Sequence, residues 1–259
     1  MRIGTVFGDY KVLTTEQFKQ IERFANENNF ERIIFSNPQR PQLLEPYLKN
    51  QPNYEISNTQ VKGIKDLKID QDPDILNGDF LKYPIAVRGL MIENNVYRDK
   101  IAFSLLKPKR IKHVACMTKL AVKLAKAHKV DQNLAAIAGL FHDCTKRVES
   151  DQNRIVMEKY YPQYLSRNEA TYHQYTGAIY LKYTLGYENE EVFTAIRHHV
   201  DGDDHHPLSL IIYLADKLDP SRDYDSSALI ALALKDLEAA AIKERKNQLA
   251  YLQEQKVVK

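Results

Sequence analysis

The segment PLSLIIYLADKL, residues 207–218, reads as a buried helix, yet it carries the carboxylate Asp216. A buried charge is costly unless it is paired or bound to a metal. Whatever this chain folds into must therefore bring a partner to Asp216. The same constraint recurs along the second part of the sequence. His142 and Asp143 close the small apolar segment NLAAIAGLFHD, and His113 shares a helical face with Met117, Leu120, Ala121 and Leu124. His173 and His199 lie in two further helical segments, 168–184 and 188–199. The stretches between these residues are long enough to place about one of them on each helix, with the helices converging on a shared centre.

All eight histidines lie between His113 and His206, and none precedes His113. A single histidine on an apolar helix is ordinarily a satisfied core group. The set His113, His142, Asp143, His173, His199 and Asp216 is harder to explain that way. Imidazole and carboxylate donors together suit Fe, Mn, Zn, Co or Ni. Six of them exceed the needs of one open catalytic ion and suit two adjacent ions sharing a bridging carboxylate. His128 reads as an exposed helix-end residue, His205 and His206 as loop residues, and His198 as an alternative to His199.

Helical spacing also predicts the fold class, which is mostly α. Segments 84–95, 111–128, 132–142, 152–161, 168–184, 188–199, 207–218 and 226–254 read as helices, and an all-helical domain is expected over 99–259. Residues 1–98 differ. RIGTVF and ERIIFSN read as buried strands flanking a helix capped by Thr14 or Thr15 and running to about Asn28. Residues 38–80 read as loops with a short strand or two, too little for a complete doubly wound domain.

Composition excludes several classes. Net charge is +3, too small to imply nucleic-acid binding. Two cysteines, Cys116 and Cys144, make neither a disulfide framework nor a paired metal knuckle. No apolar run reaches membrane-spanning length, and the start reads as a strand rather than a signal peptide. The expectation is a cytoplasmic protein without a membrane or nucleic-acid partner; its oligomeric state is left open, with a homodimer as one candidate.

Four ordered segments carry a resemblance. AGLFHDCTK at 138–146, HQYTGA at 173–178, AIRHHVDG at 195–202 and IIYLADKLDPSR at 211–222 resemble the bacterial YqeK-type members of the HD-domain phosphohydrolase superfamily. Val200, where that family usually has threonine, and DDHHP at 203–207 depart from its pattern. The resemblance implies a di-metal hydrolase with iron as the family metal, for which Mn or Co can substitute because their ligand preferences overlap. It implies symmetrical cleavage of diadenosine tetraphosphate into two ADP. The implied ligands are His113, His142, Asp143 and Asp216 around one ion and His173 and His199 at the second, with Asp143 bridging. Lys146, three residues past Asp143, is the candidate for neutralising a phosphoryl oxygen, and Arg222 for clamping a distal phosphate. Asp219 is a candidate for orienting Arg222. Two alternatives stand beside this reading: an HD phosphohydrolase for another nucleotide or phosphoester, and a nucleotide-binding module without turnover.

The first part resembles the nicotinate mononucleotide adenylyltransferases through MRIGTVFGDY, EISNTQVKG at 55–63 and DFLKYPIAVRGLMIENNVY at 79–97. That family uses paired histidines after its first strand. Gly8, Asp9, Tyr10 and Lys11 stand there instead. The expectation is a shortened, catalytically silent relative that supports the helical domain.

Overall fold

The computed structural model describes residues 2–257. The chain divides into two compact units, Met1–Ser104 with Leu185–Tyr187, and Leu105–Thr184 with Glu188–Lys259. The division falls a few residues beyond 98/99, where the sequence reading drew it.

The first unit is built on a four-stranded parallel sheet of β1 (Ile3–Phe7), β2 (Arg32–Ser36), β3 (Tyr54–Ser57) and β4 (Lys65–Lys68), in the order β3-β2-β1-β4. Alternation along the strands turns Val6, Ile33 and Phe35 to one face. There they meet Phe18, Ile21, Phe24 and Ala25 of α1 (Thr15–Glu27) in one buried cluster. Thr14 starts α1 through a capping box with Gln17, each side chain taking the other's backbone N–H. The polar stretch 38–80 supplies both outer strands, one α-helical turn, α2 (Glu45–Leu48), and two 3₁₀ turns, Pro41–Leu43 and Pro73–Asn77. The crossover from β3 to β4 has no helix: its backbone is held instead by Val61 N–H donating to Ser36 Oγ at 2.7 Å and Ile64 N–H to the Ile3 carbonyl at 2.9 Å. Helices α3 (Ile85–Glu93) and α4 (Arg98–Ser104) complete the unit.

Ligands of open α/β sheets bind outside the carboxyl ends of the strands. In this unit that end is closed by its own groups. Gly8 has φ 145°, and a Cβ on it would lie 1.7 Å from the Ile69 carbonyl oxygen. The Lys11 and Val12 amides both donate to Gln71 Oε1, at 2.9 and 3.3 Å. Asp9 accepts from Gln39.

The second unit is helical: α5 (Pro108–Ala127), α6 (Gln132–Phe141), α7 (Ser150–Tyr160), α8 (His173–Tyr183), α9 (Glu190–Arg197), α10 (Pro207–Lys217), α11 (Ser227–Ala233) and α12 (Leu237–Val257). Helix α5 packs on α6 and α10, and α9 packs on α6, α8 and α10. Val114, Met117, Leu120, Ala121 and Leu124 of α5 are buried, as are Ile137, Ala138 and Phe141 of α6 and Leu208–Ala215 of α10. Close approach of α5 and α6 depends on Gly139, where a Cβ would sit 2.9 Å from Thr118 Oγ1 and 3.2 Å from Thr118 Cα. The single helix expected over 226–254 is broken after Ala233. Asp236 restarts it, its carboxylate accepting the Ala239 amide at 3.0 Å.

Candidate metal centre

Helix ends place the histidines. His142 follows the last residue of α6, and its Nδ1 lies 2.7 Å from the Gly139 carbonyl. His199 follows α9, with Nδ1 2.7 Å from the Ile196 carbonyl. His173 opens α8 after a 3₁₀ turn at Glu169–Thr171, with Nδ1 2.8 Å from the Ala170 carbonyl. Helix termini leave carbonyls without intrahelical partners, and here they are used as acceptors. His113, on α5, instead sets Nδ1 2.7 Å from the Asp219 carboxylate. An imidazole nitrogen facing an acceptor carries the proton, so in the neutral ring the other nitrogen presents a lone pair. All four rings are held in this way with Nε2 free to coordinate.

Those Nε2 atoms converge on two carboxylates. His113 Nε2 is 3.2 Å and His142 Nε2 3.9 Å from Asp216 Oδ1. His142 Nε2 is 3.4 Å from Asp143 Oδ2, while His173 and His199 Nε2 are 3.3 and 3.8 Å from Asp143 Oδ1. Neighbouring rings stand edge-on, with centroids 5.6 Å apart for His113–His142, 5.0 Å for His142–His199 and 5.1 Å for His173–His199. Asp143 therefore turns one oxygen to His142 and the other to His173 and His199.

Electrostatics prepares the same atoms. Burial, reinforced by His142 and His173, holds the His199 imidazole well below its ordinary range, and burial also lowers His173. Burial would raise Asp143, but His142, His173 and Lys146 hold it well below the usual carboxylate range. Asp216 is likewise held low against burial by Lys217 and by His113, His142 and His199. His142 moves the other way: burial opposes its charge, yet Asp143, Asp216 and the Gly139 carbonyl raise it.

The donor set fits a metal. His113 Nε2, His142 Nε2, His173 Nε2 and Asp143 Oδ1 are buried without a hydrogen-bond partner. Such orphaned atoms are rare in native interiors unless an ion or water satisfies them. Two groups have their ligand atoms mutually close enough for one ion, His113–His142–Asp216 and His142–Asp143–His199.

All six residues expected as ligands meet here. His198 does not: its Nδ1 lies 2.6 Å from Asp203. His205 and His206 are exposed, whereas His128, expected to be exposed, is half-buried with Nε2 2.6 Å from the Ala233 carbonyl. Lys146 Nζ reaches 3.4 Å from Asp143 Oδ1. It shares with His173, Ser150, Asn153 and Glu169 the wall of an open cleft of about 300 Å³. Arg222 spends its fork on Asp216, with Nε and Nη2 donating to the backbone carbonyl at 3.1 and 2.9 Å and Nη2 to Oδ1 at 3.0 Å. Asp219 does not orient the Arg222 side chain. Its own side chain is fully buried and takes His113 and the Ser221 hydroxyl.

Two site residues escape the sequence reading. Arg110 donates to Asp143 Oδ2, and Lys217 Nζ lies 3.0 Å from Asp216 Oδ2. Arg110 stands three residues before His113, the spacing that puts two side chains on one helix face.

A family model described as the HD domain matches residues 110–221, the span holding all six proposed metal ligands. Over 159 residues, 58% of the chain, it is 32% identical to a Halalkalibacterium halodurans protein named symmetrical bis(5'-nucleosyl)-tetraphosphatase, covering 85% of that protein. The chain belongs to the HD-domain family. It is also 35% identical over 173 residues, 62% of its length, to a Mycoplasma pneumoniae protein named probable nicotinate-nucleotide adenylyltransferase/Ap4A hydrolase. The match spans about half of that relative (49%) and of a second mycoplasmal one (47%). A solved structure from Clostridium acetobutylicum, described as a predicted HD superfamily hydrolase involved in NAD metabolism, superposes with a TM-score of 0.57 at 30% identity. That likeness covers 61% of this chain and 88% of that one. No helix among the described residues is long and apolar enough to cross a membrane.

Proposed function

We propose that this chain is a binuclear metal-dependent phosphohydrolase that cleaves dinucleoside polyphosphates, diadenosine tetraphosphate above all, symmetrically into two ADP. The observation that carries the reading is the set of four imidazoles whose Nδ1 atoms are all anchored while their Nε2 atoms face Asp143 and Asp216. His113, His142 and Asp216 would hold one ion and His173 and His199 the other, with Asp143 shared. The ions, iron by family likeness with Mn or Co able to replace it, supply Lewis-acid activation of water and of the phosphoryl group when bound.

The chain's own residues account for orientation. Asp219 keeps the His113 Nδ1 proton in place, and the three carbonyls do the same for the other rings, so each lone pair is aimed before any ligand arrives. Lys146, half-exposed where the cleft meets Asp143, is set to neutralise a phosphoryl oxygen. Arg222 positions Asp216 through the carbonyl and carboxylate together, and a distal phosphate is a second acceptor suited to its fork. In the reaction a water oxygen bonds to a middle phosphorus, the central P–O–P bridge breaks, and the bridging oxygen leaves with the second ADP. Placement of the adenosines, and hence cleavage at the centre, rests on the named activities of the relatives.

The first unit is proposed to be catalytically silent, because the amides at the end of β1 are already taken by Gln71. A substrate panel followed by product chromatography tests the function. Metal-loaded protein should convert diadenosine tetraphosphate to ADP alone. Much faster turnover of a nucleoside monophosphate would favour the alternative, an HD phosphohydrolase for another nucleotide. Nucleotide binding without turnover would favour a non-enzymatic module.

A further inference from the structure

Each carboxylate of the centre is met by two cations: Asp143 by Arg110 and Lys146, Asp216 by Lys217 and Arg222. Three of these have a reason to stay where they are or to be elsewhere. Arg222 is fixed by two further bonds to the Asp216 carbonyl, Lys217 is the neighbouring residue in the chain, and Lys146 is half-exposed on the wall of the open cleft. Arg110 is different. It is held to Asp143 Oδ2 through one guanidinium nitrogen, and its Nε is buried without a partner. The oxygen it occupies is the one facing His142 Nε2 at 3.4 Å.

We infer that Arg110 is an exchangeable counter-cation, neutralising Asp143 in the metal-free chain and passing to a phosphate oxygen of the substrate when metal takes that carboxylate. The inference rests on the metal-dependent reading above. A carboxylate as buried as Asp143 is strongly destabilising without counter-charge, and Arg110 adds to Lys146 on the other oxygen in compensating it before metal binds. A divalent ion supplies that charge itself and repels the guanidinium. Arg110 sits in the first turn of α5 with part of its side chain exposed, and its planar fork matches phosphate better than any other side chain does. Arg110 is thus a substrate-binding residue beside Asp143 Oδ2, whereas Lys146 meets the other Asp143 oxygen.

The test compares full-length wild type, Arg110→Met and Arg110→Lys. Mn²⁺ is titrated in the absence of nucleotide by calorimetry, and ADP is then titrated onto the Mn²⁺-loaded proteins. Arg110→Met should bind Mn²⁺ several-fold more tightly than wild type, because a competing cation is gone. Its metal-free unfolding midpoint should fall, while that of the loaded form stays close to wild type. ADP affinity should drop about tenfold or more, as expected for loss of a charge-assisted hydrogen bond. Arg110→Lys should lie between the two on every measure, and it carries the comparison should the methionine variant fail to fold. Unchanged or weaker Mn²⁺ binding would overturn the inference and make Arg110 an aligner of Asp143. Tighter Mn²⁺ binding with unchanged ADP affinity would overturn the exchange onto phosphate. A wild type that binds no metal would instead defeat the underlying reading, and the inference with it.

Discussion

Asp143 Oδ1 lies 3.3 Å from His173 Nε2, while the other oxygen of the same carboxylate lies 3.4 Å from His142 Nε2. His142 and Asp143 are adjacent in sequence, whereas His173 arrives from a separate helix. The two oxygens of one side chain thus serve both halves of the donor set. This is the geometry a carboxylate needs to be shared between two ions, and it makes Asp143 the residue whose loss should be felt most widely.

Asp143→Asn should therefore reduce bound metal to near background and lower turnover by at least about 100-fold. Removing an outer partner of a metal ligand already costs about 10–100-fold, and here a ligand common to both positions is lost. Elemental analysis alongside turnover measures both quantities. Near-normal metal content with normal turnover would remove Asp143 from the ligand set.

Asp219 offers a finer test. It is fully buried and touches His113 without itself facing the other imidazoles. Asp219→Asn should keep the fold, since its Oδ1 can still accept from the Ser221 amide while the Ser221 hydroxyl turns to accept from Nδ2. It should weaken metal affinity by about 10–100-fold through loss of control over the His113 ring. Equilibrium dialysis against a metal buffer reads this directly, and an unchanged affinity would leave Asp219 with a purely structural part.

The lowered imidazoles make metal-free stability depend on pH. His199 and His173 bind protons less readily folded than unfolded. Where the unfolded chain binds more protons, stability rises with pH. Their contribution is complete above the ordinary imidazole value of 6.5 and is lost as pH falls below it. His142 acts oppositely, its contribution being complete below 6.5 and lost as pH rises through its raised folded value. Two lowered groups against one raised group predict a falling denaturation midpoint between pH 7 and pH 5 in chelator-treated protein. His199→Gln should flatten that slope. A slope unaltered by the substitution would contradict the assignment of the effect to His199.

Packing predicts a further loss. Gly139→Val would force a side chain into Thr118 where even a Cβ stands at 2.9 Å from Oγ1. Overpacking of this kind costs about 1–3 kcal/mol. Because α5 carries His113 and α6 leads to His142, metal affinity should fall together with the thermal midpoint. A variant as stable as wild type would show that α5 can move away freely.

The first unit should not transfer nucleotidyl groups. Intact protein given ATP and nicotinate mononucleotide should release no pyrophosphate above a metal-only control. Release that depends on Lys11 or Asp9 would contradict the silent reading and the closure of that edge by Gln71.

The proposed ligand positions are legible in the sequence because each is a polar residue in or beside an apolar helix, where burial demands a partner. Asp216 within IIYLADKL is the clearest case. Arg110 is not legible in the same way. It lies in KPKRIKH, a basic run that reads as a solvated face, and only the three-residue step to His113 hints at its place. Asp219 falls beyond the last turn of α10, where a carboxylate needs no explanation until the turn folds back on His113. The break between α11 and α12 is hidden by the good helix formers around it, and the cap at Asp236 decides it. In the first unit, β3 and β4 pair as outer strands around β2 and β1. Sequence alternation at those short, half-exposed strands is weak, so their existence is legible but their order in the sheet is not.

Metal stoichiometry reads directly whether two ions share Asp143. Wild-type protein purified both aerobically and anaerobically, then saturated with Fe²⁺ or Mn²⁺ and freed of excess, should hold close to two transition-metal ions per chain. Saturation at one ion per chain would contradict the shared carboxylate and leave either His173 or His199 as an ordinary core residue.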